Sequence, residues 1–122
     1  MKRLEIIITP GKLSEVKRAL IDAGVQGMTI SNANGFTWDK SRTEYYRAKE
    51  VTVDTVPMIT INSVVEDSVV DTVTRAATEA ARTGGNGDGR VGDGKIFVHD
   101  VAHVIRIHTG ATGSEAILRD TG

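Results

Sequence analysis

The chain has no cysteine. Disulfides and thiolate metal sites are therefore excluded, and a reducing compartment suits such a sequence. Aromatic residues are scarce, with two Phe, two Tyr and one Trp. Any core must rest on Ile, Val, Leu and Ala, and a core of that kind gains stability from oligomerisation. No sign of charge dominates, because 15 Lys plus Arg face 16 Asp plus Glu. That balance offers no field for nucleic acid or for an acidic membrane surface. Long hydrophobic runs are missing too. The opening "MKRLEIIITPGK" carries an apolar run of about four residues, too short for a signal peptide or a membrane span. The expectation is one soluble, cytoplasmic domain over residues 1–122, with no membrane insertion.

What is present is an alternation of short patterns. "LEIIIT" (4–9) is β-branched and stops at Pro10, as a buried strand does. Leu13, Val16, Leu20 and Ala23 then share one helical stripe that ends at Gly24. A second strand is expected over 25–36. The segment 37–55 is rich in charge and lacks an apolar period, so it reads as a long exposed loop. A third strand follows over 57–65. A second helix runs from about Ser68 to Arg82 with Val69, Val73, Ala76, Ala77 and Ala80 inward. Asp67 or Ser68 would cap it, and Ser68 with Asp71 has capping-box spacing. Residues 95–98 and 103–108 are two further strand signals, and "SEAIL" (114–118) a last strand or helical turn. The order β-α-β, loop, β-α, glycine loop, β is the split βαβ arrangement. It predicts an α+β, ferredoxin-like βαββαβ sandwich, an antiparallel sheet with two helices on one face.

The unusual stretch is "TGGNGDGRVGDGKIF", residues 83–97. The unit Gly-Asp-Gly followed by a cation and a β-branched residue occurs twice, as Gly87–Val91 and Gly92–Ile96. Glycine permits positive φ, so successive N–H groups can converge on an anion, with a basic side chain as countercharge. A flexible connection is the plainer alternative. The stretch has no Walker A pattern. It also lacks the final carboxylate of a calcium loop. His99, His103 and His108 do not converge at strand spacing, so they read as strand and surface residues and no metal site is expected.

At this point the chain resembles the PII signal-transduction proteins. The resemblance runs through "KLSEVKRALIDAGVQGMTISNANGF", "RTEYYRAKE", "AARTG", "GDGKIFV" and "DVAHVIRIHTG", then "SEAI". It implies a homotrimer with three projecting T-loops (about 37–55) and a glycine-rich B-loop (about 83–95). It also implies an adenine nucleotide (ATP, ADP or AMP) in each cleft between subunits, and a signalling role rather than catalysis. Carried over residue by residue, nucleotide contacts fall on Thr29, Gly35, Phe36, Thr37, Trp38, Val64, Gly92, Asp93, Gly94, Lys95, Arg106 and His108. Tyr46, Arg47 and Lys49 fall in the T-loop, where relatives dock on a partner such as a membrane transporter or a metabolic enzyme.

The departures from that pattern bear on the ligand. Thr83 has the family spacing to the first Gly-Asp-Gly copy, whereas the strand after Lys95 has it to the second. We expect the second copy in the usual place, with Gly87, Gly89 and Arg90 as a bulge that reaches an extra anion. The tyrosine that some relatives carry as a uridylylation site is Val51. Thr37-Trp38-Asp39 stands where relatives have Gly-Arg-Gln, so Asp39 would serve only if a magnesium nucleotide binds. Met58 stands where relatives place a lysine that fixes 2-oxoglutarate, and a thioether offers a dicarboxylate no charge. Relatives carry arginine at both outward positions of "VIRIH". Here they are Arg106 and His108, expected on one face of a strand. A mostly neutral His108 weakens the polyphosphate end.

The expectation is a sensor that favours ADP or AMP over ATP and has lost the usual 2-oxoglutarate response. Three alternatives stand beside it. One is a PII-like sensor of bicarbonate or another small anion, acting with ADP or AMP near a transporter or carboxysome system. Another is an ordinary nitrogen-status PII binding ATP and 2-oxoglutarate. The last is a metal-dependent nucleotide hydrolase built on Asp39, which has no partnered base.

Overall fold

A computed structural model describes residues 1–36, 55–84, 89–90 and 92–118. Most of the expected T-loop, with Thr37, Trp38, Asp39, Tyr46, Arg47 and Lys49, lies outside the described residues, as does Gly87. The elements are β1 (Lys2–Ile8), α1 (Leu13–Asp22), β2 (Thr29–Gly35), β3 (Val56–Val65), α2 (Val70–Ala81), β4 (Gly94–Asp100) and a single turn, α3 (Ser114–Ile117). One-turn 3-10 segments, Pro10–Lys12 and Asp67–Val69, lead into α1 and α2. The sheet is antiparallel in the order β2-β3-β1-β4. This is the ferredoxin-like arrangement expected from the sequence.

Register explains the layering. Strand side chains alternate, so Leu4, Ile6 and Ile8 point to the helices while Arg3, Glu5 and Ile7 point away. Ile6 pairs with Ile61 and Ile96, and Ile61 pairs with Ile30, so one row of isoleucines crosses all four strands. Val16 and Leu20 of α1 and Val73, Ala77 and Ala81 of α2, each four residues apart, close over the sheet. Burial of each Leu or Ile contributes about 1.5–3 kcal/mol, so an aliphatic core holds the layers without aromatic rings. Ser63 is the buried polar residue on this side, and its hydroxyl donates to the Gly27 carbonyl at 2.6 Å.

Several local expectations are corrected. The second strand begins at Thr29 rather than 25, and Gly24 and Val25 close the end of α1. Val25 N–H donates to the Leu20 carbonyl, and Val25 is buried. No side-chain cap opens α2, and Asp67 instead accepts from the Met1 amine at 2.9 Å. The 103–108 strand does not form. Arg106 N–H donates to the Ala111 carbonyl and Gly110 N–H to the Arg106 carbonyl, so this backbone satisfies itself and leaves one bridge, Ile105 to Thr112. Arg106 and His108 therefore do not share a strand face. Ile107 is 99% exposed and Ile105 65%. No described helix is long and apolar enough to cross a membrane.

Candidate functional site

The glycine loop reaches the sheet at the C-terminal end of β1, where Gly94 pairs with Ile8 and Lys95 with Ile7. Gly94 has φ +127°, and a Cβ there would overlap the Ile7 carbonyl, so only glycine lets β4 start against β1. Asp93, one residue earlier, is the anchor. Its Oδ1 accepts from the Thr83 hydroxyl at 2.8 Å, and its Oδ2 accepts from Thr83 N–H at 3.1 Å and from Arg90 N–H at 2.7 Å. Burial pushes this carboxyl up. The Arg90 and Thr83 N–H groups, the Thr83 hydroxyl and the Arg90 charge outweigh it and hold the group below its ordinary value.

The bonds resolve the register conflict in the sequence. Thr83 is tied to the aspartate of the second copy although its spacing matched the first. Asp88 of the first copy lies outside the described residues. The sequence carried the signal in the length of the strand after Lys95. Nothing in it marked Arg90 N–H as the third donor.

Alternation decides which face each expected contact takes. Thr29 and Gly35 on β2, Val64 on β3 and Lys95 on β4 all lie on the side away from the helices. That side also carries a polar ladder. Arg3 donates to Asn62 at 3.0 Å and lies 3.8 Å from Glu5, whose carboxylate is 3.5 Å from His99. Gly35 sits over Met58, whose Cγ would be 3.2 Å from a Cβ on that glycine. Met58 is 8% exposed, so its thioether is packed into the wall beside Gly35.

The expected residues are not brought together in one copy. Gly35, Gly94 and Lys95 share one end of the sheet, whereas Val64 pairs with Arg3 near the other end. Arg3 and Ile8 are five residues apart on β1, about 17 Å in an extended strand. Arg106 and His108 lie beyond that far end, in a segment joined to it through Val101 N–H and the Met1 carbonyl. The Arg106 guanidinium donates to the Leu118 carbonyl. His108 is exposed, and so is Phe36 at the end of β2. Among the described residues no three His, Asp or Glu side chains group as metal ligands.

Fold and loop together define a ferredoxin-like α+β protein whose glycine loop is clamped to one end of its sheet. The family model of nitrogen regulatory protein P-II matches residues 1–111. The nitrogen regulatory protein P-II of Azospirillum brasilense is 48% identical over 117 residues, covering 96% of this chain and all of that protein. That of Microchaete diplosiphon is 47% identical with the same coverage. A crystal structure of Arabidopsis thaliana PII bound to citrate superposes with a TM-score of 0.75 at 32% identity, over 99% of this chain and 92% of that one. The chain belongs to the nitrogen regulatory protein P-II family. It is a signalling regulator, not an enzyme.

Proposed function

We propose that this protein is a homotrimeric, cytoplasmic sensor of adenine nucleotides, each bound between two copies, that controls a partner protein through residues 37–55. One observation carries the reading. The expected contacts divide between the two ends of one sheet, so a second copy is needed to complete the site. Phosphates would rest against Gly92–Lys95 of one copy, and Arg106 of the neighbour would grip them bidentately after releasing Leu118. The adenine would pack near Thr29, Gly35, Phe36 and Val64. Thr37 and Trp38 complete the nucleotide contacts, and Asp39 enters only with a magnesium nucleotide. Occupancy would order the T-loop and change how Tyr46, Arg47 and Lys49 meet a transporter or metabolic enzyme.

His108 in place of an arginine weakens the polyphosphate end, so ADP and AMP are favoured over ATP. The buried Met58 supports loss of the 2-oxoglutarate response, because an uncharged wall repays none of a dicarboxylate's desolvation. The citrate in the Arabidopsis structure favours one second reading, a small carboxylate or bicarbonate acting beside ADP. Calorimetric titration with ATP, ADP and AMP, with and without magnesium and 2-oxoglutarate and then with bicarbonate, tests both. The proposal expects ADP or AMP to bind at least as tightly as ATP and to ignore 2-oxoglutarate. ATP binding about tenfold tighter than ADP, and tightened further by 2-oxoglutarate, overturns it.

A further inference from the structure

We propose that the C-terminal turn, residues 114–118, is an autoinhibitory latch that competes with phosphate for Arg106. The latch rests on the nucleotide reading and adds to it a competitor for one of the contacts. The Arg106 guanidinium donates to the Leu118 carbonyl. Among the described residues no carboxylate lies within ion-pair distance of Arg106, so a neutral acceptor holds its charge.

Backbone bonds bring the two partners together. Arg106 N–H donates to the Ala111 carbonyl and Gly110 N–H to the Arg106 carbonyl, each at 2.8 Å. Gly113 N–H donates to the Val104 carbonyl at 3.2 Å, which closes 104–113 into one turn. Gly113 then sends the chain back with φ +63° and ψ −141°, a combination open to glycine and strained for other residues. Ala116 N–H donates to the Gly113 carbonyl at 2.9 Å, and α3 delivers Leu118 to the guanidinium.

Burial does not anchor this stretch. No residue from 101 to 118 is buried, and Ile105 and Ile107 point out on either side of Arg106. Surface hydrogen bonds alone hold it, which places it at the low end of local stability. The two acceptors also differ in kind. A carbonyl offers Arg106 one neutral oxygen, whereas a phosphate offers charge and two oxygens that match the guanidinium fork. Bound phosphate therefore takes Arg106 from Leu118. Opening the latch lowers nucleotide affinity by the fraction of chains that are latched. By linkage, occupancy of the cleft frees the C-terminal turn, a second output beside the T-loop.

The test compares ADP calorimetry on the full chain with two unlatched variants. One variant ends at Ile117 and lacks the acceptor. The other is full-length Gly113→Val, whose β-branched side chain strains the backbone that the turn requires. Each should bind ADP about three- to tenfold more tightly than the parent. Backbone order at Leu118, read by NMR relaxation, should be high in the parent and fall on saturation with ADP. Adenosine, which has no phosphate, should leave it high. Arg106→Gln should lower it with no ligand added, an effect that does not depend on nucleotide binding. A parent that binds ADP with an affinity that neither variant raises overturns the latch and spares the nucleotide reading. So does a Leu118 that stays ordered in the ADP complex, or that adenosine loosens. ADP binding by none of the three chains overturns both.

Discussion

Asp93 spans the duplicated unit with three accepted hydrogen bonds, and its replacement has a defined cost. Asp93→Asn keeps the shape but loses the charge behind those bonds, so stability should fall by about 1–2 kcal/mol and the Thr83 amide should lose protection from hydrogen exchange. Unchanged Thr83 exchange would contradict the clamp. The pH dependence follows from the lowered carboxyl value. A group whose value is depressed on folding adds stability that is full above its unfolded value, about 3.9, and is lost as pH falls through the folded one. Thr83 protection should therefore hold from neutral pH down to about 4.5 and decay only in stronger acid. Gly94→Ala places a Cβ on the Ile7 carbonyl at positive φ, so it should cost about 2 kcal/mol or more and shift the melting temperature accordingly.

The layers were legible where period and burial agree. β1 alternates, α1 and α2 repeat every four residues, and each packs as that pattern requires. Ala77 is fully buried on α2, so Ala77→Leu should overpack the core by about 1–3 kcal/mol, measurable by denaturant titration. The misreadings have a common cause, namely competition for backbone hydrogen bonds. Val25 opens the expected strand, yet its N–H is spent on closing α1, and the Gly27 carbonyl accepts from Ser63. "VIRIH" alternates like a strand, yet the Arg106 N–H and carbonyl bond to residues 111 and 110, and the Val104 carbonyl accepts from Gly113. Alternation reports only which faces are apolar, whereas these partners are set by turns that composition does not encode. In the candidate site the glycine loop was legible and the strand after Lys95 pointed to its second copy, whereas the bonds that tie Asp93 to Thr83 and Arg90 had no mark in the sequence.

Opposite ends of one sheet hold the two halves of the proposed nucleotide site, and the helix-free face between them exposes Phe97. Assembly should bury that face, so Phe97→Asp should shift the mass measured by light scattering from trimer toward monomer. The most direct test of a shared site mixes two variants, Lys95→Ala and Arg106→Ala. Each alone should bind ADP about tenfold more weakly than the parent. After subunit exchange, about a quarter of the clefts in a random equal mixture would unite an intact Lys95 with an intact Arg106 from different copies. The account predicts that calorimetry of the exchanged mixture recovers a tight fraction of about that size. No recovery on mixing, with both variants still trimeric, would contradict a site divided between copies.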